Sequence, residues 1–152
     1  MTLNSSLYAS DRMDWETPHD LFGRLNAEFH FVLDPCCTPE TAKCCLWYTR
    51  EHDGLKQPWF GSVFMNPPYG RAIKDWVAKA RHESDKGATV VCLLPCRTDT
   101  KWWHEHVMKA SEIRLLNRRL TFHGGTNKAP FPAAIVVFRP GDQSGRLSAM
   151  CA

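Results

Sequence analysis

The segment Ser62-Val63-Phe64-Met65-Asn66-Pro67-Pro68-Tyr69-Gly70 decides how the chain folds. A short apolar run ends in two consecutive prolines, which hold φ and remove backbone donors. Pro68 also biases Pro67 away from helix. The segment predicts a strand over 62–65 that delivers a rigid polar corner to the edge of a sheet. Ile73, Trp76, Val77 and Ala80 follow helical spacing and predict a helix ending near Gly87. Then comes Ala88-Thr89-Val90-Val91-Cys92-Leu93-Leu94, the unbroken apolar run of a strand buried on both faces of a parallel sheet.

Upstream, Thr17-Pro18-His19-Asp20 reads as a helix start, with Thr17 as cap, Pro18 at the first helical position and Asp20 completing the box. Leu21, Phe22, Leu25 and Phe29 extend it into an amphipathic helix over 18–28. Residues 29–33 read as a short strand stopped by Asp34-Pro35, and 42–48 fit a helix or a strand. Downstream, Trp102, Trp103, Val107 and Met108 predict a helix with Asp99 as its cap. Strands are expected over 113–116 and 134–138, with a Gly-rich basic loop between them. Alternating strands and helices of this kind mean a doubly wound α/β sheet. The expected organisation is a flexible segment over 1–14, one folded domain over 15–139 and a loose tail over 140–152.

A length of 152 residues suits a single domain, and a 43% hydrophobic share with eight Phe and six Trp supplies a core. No apolar run is long enough to span a bilayer, and residues 1–14 lack the layout of a signal peptide. Cytoplasm is the expected location. Seven cysteines without a leader point to reduced thiols rather than a disulfide framework. The adjacent pairs Cys36-Cys37 and Cys44-Cys45 lack the gap that paired zinc ligands prefer. His104-Glu105-His106 places neighbours that do not face one another on a helix, so no metal is expected. Net charge is +3, unevenly spread: residues 1–96 hold 10 Lys/Arg against 12 Asp/Glu, and 97–152 hold 9 against 4. That bias suits nucleic acid, and a solvated basic face explains it too.

The corner suggests a chemistry. An Asn side-chain oxygen and a Pro carbonyl set side by side, with an aromatic ring beneath, can hold a planar exocyclic amino group. Such an amine is a poor nucleophile because its lone pair is delocalised into the ring. Two acceptors on its two hydrogens draw the lone pair out of that delocalisation. A sulfonium methyl held in line could then be attacked directly, with no metal and no covalent enzyme intermediate. Tyr69 would stack on the base. Asn66→Ala or Tyr69→Ala is expected to remove most methylation and leave the fold intact. The competing reading is a proline-terminated strand with a tyrosine in the core.

The chain resembles the small, phage-type, Dam-like DNA N6-adenine methyltransferases of the S-adenosylmethionine-dependent amino-methyltransferase superfamily. The resemblance covers about 15–138. It rests on Trp15-Glu16-Thr17-Pro18, Leu33-Asp34-Pro35, Asp53-Gly54-Leu55, Asn66-Pro67-Pro68-Tyr69, Leu94-Pro95 with Thr98-Asp99-Thr100, and Arg119-Leu120-Thr121-Phe122. It implies a trimmed Rossmann-like fold, with a mostly parallel central sheet and helices on both faces. It also implies transfer of the methyl group of S-adenosyl-L-methionine to N6 of adenine in double-stranded DNA, by base flipping and direct attack. The protein would be a monomer or homodimer in the cytoplasm of a bacterium or phage-infected cell.

Carried over by position, the resemblance makes Asn66, Pro67, Pro68 and Tyr69 catalytic. Thr17 and Pro18, with Trp15, border the methionine end of the cofactor. Asp34, with Pro35, faces its amino group, and Asp53 accepts from its adenine amine. Phe122, with Phe131 in reserve, packs on the flipped base. Apart from the resemblance, Arg118, Arg119, His123 and Lys128 around Gly124-Gly125 read as a basic loop that contacts phosphate or a groove, or as an ordinary surface hairpin. Each has a plainer reading: Thr17 as a cap, Asp34 and Asp53 as turn residues, Phe122 as core. The loop after Asp34 (Pro-Cys-Cys-Thr-Pro-Glu) lacks the glycines usual there, and only 31 residues separate Asp34 from Asn66. The cofactor half is therefore trimmed, with Glu40 and Glu51 the candidate partners of the ribose. The same corner suits an RNA base or a protein glutamine amide, and a non-catalytic DNA-binding relative could retain it.

Overall fold

The structure is a computed structural model that describes residues 15–122 and 127–152. The expected N-terminal segment, and His123, Gly124 and Gly125 of the basic loop, lie outside the described residues. The elements in chain order are α1 (His19–Phe29), β1 (Leu33–Asp34), β2 (Leu46–Trp47), β3 (Ser62–Met65), α2 (Ile73–Asp85) and β4 (Thr89–Pro95). Then follow α3 (Lys101–Glu105), a 3-10 turn (Val107–Lys109), β5 (Glu112–Leu116), β6 (Ala133–Phe138) and β7 (Arg146–Met150).

One sheet takes all seven strands in the order β2-β1-β3-β4-β6-β5-β7. β2, β1, β3 and β4 pair in parallel, as do β5 and β7, while β6 runs against both of its neighbours. The chain thus winds one way from β1 to β2 and the other way from β3 to β4. That is a doubly wound, Rossmann-like α/β architecture with a mostly parallel sheet. Residues 90–95 of β4 are all buried, so both sheet faces are covered there. On one face Phe64 of β3 meets Phe22 of α1, ring to ring at 5.1 Å. Its neighbours Val63 and Met65, turned to the other face by strand alternation, are equally buried.

Local chemistry departs from the sequence pattern at several points. α1 starts at His19 with Pro18 in the capping position, and no side chain caps it. Thr17 is therefore not the cap; its hydroxyl is engaged elsewhere. At the other end the helix continues through Phe29, and His30 adopts φ 50°, with its N–H on the Asn26 carbonyl. The Asn26 side chain then accepts the Phe31 N–H at 2.9 Å. This reversal keeps 29–31 out of the ladder; Val32 already bonds Ser62 and Leu46, and the strand expected over 29–33 shrinks to Leu33–Asp34. The ambiguous 42–48 stretch holds the two-residue edge strand β2, exposed at both positions.

Asp99 is exposed and does not cap α3; Thr100 occupies that position in extended conformation. Trp102 and Trp103 are both core. The tail expected to be loose instead supplies β7, paired in register with β5 from Glu112↔Arg146 to Leu116↔Met150. No helix among the described residues is long and apolar enough to cross a membrane.

Candidate active site

Ligands of open α/β sheets bind beyond the carboxyl ends of the strands where the winding reverses. Here that point lies between β1 and β3, and it brings Asp34 and Asn66 together. A cleft of about 560 Å³ opens there, within the range of small-molecule sites. It is lined by Asp34 and Pro35, by Asn66, Pro67 and Pro68, by Trp15 and Thr17 ahead of α1, and by Asp53 and Gly54. Pro18 lies beside this lining rather than in it. A smaller hollow of about 300 Å³ sits by Ser62 and Thr89, at the opposite strand ends, and holds none of the expected site residues.

The Asn66 side chain has one free end. Its amide NH2 donates to the Trp15 carbonyl and, at 3.0 Å, to Thr17 Oγ1. A carbonyl can only accept, so the group facing Trp15 must be the NH2 and not the oxygen. That leaves Asn66 Oδ1, which is buried and has no hydrogen-bond partner. Native proteins rarely leave a buried acceptor unmatched. The Asn66 backbone carbonyl is taken by the Cys36 thiol at 3.3 Å. Among the described residues none donates to the Pro67 carbonyl.

Asp34 is 4% exposed. Its two oxygens accept the backbone N–H of Cys36 at 3.4 Å and of Lys43 at 3.1 Å. Burial nonetheless pushes its carboxyl up from 3.8 to about 6, against the pull of those N–H groups, the Cys37 thiol and the Lys43 charge. Burial also raises the neighbouring thiols, Cys44 to about 12 and Cys36 and Cys37 upward too. They remain neutral donors: Cys37 reaches the Asp34 and Tyr48 carbonyls, at 4.0 and 3.8 Å.

Asp53 sits on the rim at φ 53°, its carboxylate 2.9 Å from Lys56. Neither Glu40 nor Glu51 lines the cleft; Thr38, Thr41, Thr49 and Arg50 are the polar groups on that side. Sequence reasoning also missed two supports. Lys43, 9% exposed at its side chain, pairs with Glu16 at 3.0 Å across the cleft wall, and nothing in its local sequence marks it. Gly54 brings its Cα against the Pro35 carbonyl, where a Cβ would lie only 2.1 Å from the oxygen. The close backbone approach is thus made by a glycine outside the first-strand loop, and the Asp-Gly-Leu motif was its signal.

The aromatic residues form a closed cluster. Tyr69 is 8% exposed and donates its hydroxyl to the Leu93 carbonyl at 3.1 Å. Burial holds that hydroxyl well above its usual pKa, so it stays protonated. Its ring meets Phe131 edge-on at 5.4 Å and Phe122 at 6.4 Å, and both rings touch Trp15, at 5.8 and 5.2 Å. The expected base-stacking rings are together but lie behind the cleft rather than in its lining. Arg119 and Lys128 are exposed on the chain flanking them, and Arg118 binds the Ala152 carbonyl at 3.3 Å.

The doubly wound sheet sets an Asn-Pro-Pro-Tyr corner beside a buried acid, an arrangement consistent with a Rossmann-like methyltransferase. Residues 4–146 match the family model described as DNA N-6-adenine-methyltransferase (Dam), and the chain belongs to that family. As a member it is a DNA adenine-N6 methyltransferase. It is 31% identical over 157 aligned positions to the DNA N-6-adenine-methyltransferase of Haemophilus phage HP1 (strain HP1c1), covering 97% of this chain and 90% of that protein. It is 38% identical to Escherichia coli (strain K12) YfdM over 63 positions, 36% of this chain and 69% of that one. The crystal structure of Atu636 from Agrobacterium tumefaciens, a predicted O-methyltransferase, aligns with TM-score 0.39 and 17% identity. That alignment covers 90% of this chain, which spans 64% of the Atu636 length.

Proposed function

We propose that the chain methylates N6 of adenine in double-stranded DNA by taking the base out of the duplex and holding its amine at the corner 66–69. The observation that carries this reading is the buried, partnerless Asn66 Oδ1. With the Pro67 carbonyl it offers two acceptors for the two hydrogens of one planar NH2. Pro68 keeps the corner stiff. S-adenosyl-L-methionine, when bound, supplies an electrophilic methyl group on a sulfonium sulfur. With the amine held by Asn66 Oδ1 and the Pro67 carbonyl, its lone pair would be free to take that methyl group, and the proton then lost from nitrogen would pass to water. No general base is required.

Cofactor binding is assigned to the cleft, bordered by Trp15, Thr17 and Pro18, with Asp34 and Pro35 toward the methionine ammonium and Asp53 toward the adenine amine. The cleft volume and a carboxylate poised near pH 6 fit that group. Tyr69 and Phe122, backed by Phe131, stack on the flipped ring; a base enters only when these mutually packed rings part. Arg118, Arg119 and Lys128 contact phosphate. The protein acts as a monomer or homodimer, in the cytoplasm of a bacterial or phage-infected cell. Incubation with labelled cofactor and unmethylated DNA, RNA or protein, followed by nucleoside mass spectrometry, tests the reading. N6-methyladenine in DNA is expected; label only in RNA or protein overturns it.

Asp34 adds a pH dependence. Its folded pKa of about 6 lies above the usual 3.8, so the folded state binds the proton more tightly. The resulting stabilisation is complete below the lower value and is lost as pH rises through about 6. Cofactor affinity runs the other way, because only the ionised carboxylate attracts an ammonium. Calorimetric affinity should therefore rise from pH 5 to 7 while the melting temperature of the cofactor-free protein falls. In Asp34→Asn both slopes should flatten, and unchanged slopes in that variant count against the assignment.

A further inference from the structure

We infer that Thr17 is a positioning residue, whose hydroxyl oxygen, together with the Trp15 carbonyl, fixes which face of the Asn66 amide meets the substrate. The inference rests on the proposed role of Asn66 and adds to it. A side-chain amide has two nearly isosteric ends of opposite polarity. Presented oxygen first, it accepts from the target amine; rotated by half a turn, it aims N–H at the amine's own hydrogens and repels it. The backbone of the corner, however stiff, does not choose between these states.

The choice is made by the segment ahead of α1. Thr17 is 2% exposed, and its Oγ1 takes one Nδ2 hydrogen at 3.0 Å. The Trp15 carbonyl takes the other. Both acceptors come from residues 49 and 51 positions away in sequence. Rotating the amide would set its oxygen against the Trp15 carbonyl, two acceptors with no proton between them. The holder is itself held: the Trp15 ring packs on Phe122 at 5.2 Å and on Phe131 at 5.8 Å, and Glu16 pairs with Lys43 at 3.0 Å. This also explains why Thr17 does not cap α1. Its oxygen has a different partner. Trp-x-Thr reads as a bracket for the catalytic amide, in which the alternating residues supply the acceptors and the intervening Glu16 ties the bracket down.

The test separates orientation from cofactor binding, because Thr17 also lines the cleft. Thr17→Val keeps the shape and removes the acceptor. It should lower kcat by about ten- to a hundredfold, the range expected when a preorganised polar group loses its support. Cofactor affinity by calorimetry should change far less. Thr17→Ser, which keeps the oxygen, should restore kcat to within about twofold of wild type. In NMR spectra the Asn66 NH2 pair should exchange with water faster in Thr17→Val than in the wild type or Thr17→Ser.

Wild-type kcat in Thr17→Val, a loss lying wholly in cofactor affinity, or equal impairment in the Ser variant would each overturn the inference. If Thr17→Val does not fold, Thr17→Ala against Thr17→Ser decides: loss in Ala alone supports the bracket, and equal rates in the two overturn it. An inactive Asn66→Ala beside a fully active Thr17→Val removes only the bracket. An active Asn66→Ala removes the reading beneath it.

Discussion

Asn66→Ala is expected to slow methyl transfer about 10²–10³-fold, the usual effect of deleting one preorganised polar group at a reacting centre. The loss should fall on kcat, because in the proposed mechanism Oδ1 faces an amine whose charge grows only as the new bond forms. Stability should fall by about 1–3 kcal/mol, since the Trp15 carbonyl and Thr17 hydroxyl lose their shared donor. Single-turnover kinetics with a melting curve would check both, and a rate near that of the wild type would remove the corner from the mechanism. Tyr69→Ala is not the equally clean test that the sequence suggests. The ring is buried, bonded to the Leu93 carbonyl and packed on two phenylalanines. Its truncation should cost about 3–5 kcal/mol through the cavity left behind.

Gly54→Ala should be severely damaging for so small a substitution. The added methyl carbon would lie 2.1 Å from the Pro35 carbonyl oxygen, 3.2 Å from its carbon and 3.2 Å from the Trp76 ring. No rotamer relieves a Cβ clash with backbone, so one of two loops must move. Neither moves freely. The Gly54 carbonyl accepts the Trp59 indole N–H at 2.8 Å, and the Trp59 backbone N–H donates to buried Glu83 at 3.3 Å. Pro35 follows Asp34, which Cys36 and Lys43 hold from either side. Displacing Pro35 shifts the carboxylate and narrows the cleft. Cofactor affinity should drop by more than about tenfold, and the melting temperature should fall by several degrees for each kcal/mol lost. Unchanged calorimetric affinity in this variant would separate Gly54 from the cofactor site.

The parts of the fold most legible in the sequence are those whose signal is local. β3, β4, β5 and β6 were expected within a residue of their observed limits, because each is an apolar run bounded by polar or turn residues. β7 escaped because it is an edge strand with mostly exposed residues, so burial imposes no pattern on it. β1 was overextended because Phe29 and Phe31 are apolar for a different reason. They stack on each other at 5.7 Å, and the guanidinium groups of Arg114 and Arg139 cover the Phe29 ring.

The same division runs through the site. The Asn66 corner is contiguous and could be read directly. Its polarity is set by Trp15 and Thr17, and the need for glycine at position 54 is set by the Pro35 carbonyl. Both are contacts between distant segments, and neither leaves a periodic trace. Thr17 carried a strong local signal for a helix cap, and a tertiary partner overrode it.

β5 and β6 are the two arms of an antiparallel hairpin, fixed by pairs from Glu112↔Val137 to Leu115↔Ala134. The connection between them therefore leaves and returns on adjacent rails. It carries Phe122 and Phe131 onto Trp15 and Tyr69, so its two flanks are tied to the corner at the end of β3 although β4 stands between them in the sheet. A substitution that shrinks either ring should therefore be felt at Trp15 and Tyr69 together, because each ring packs on both.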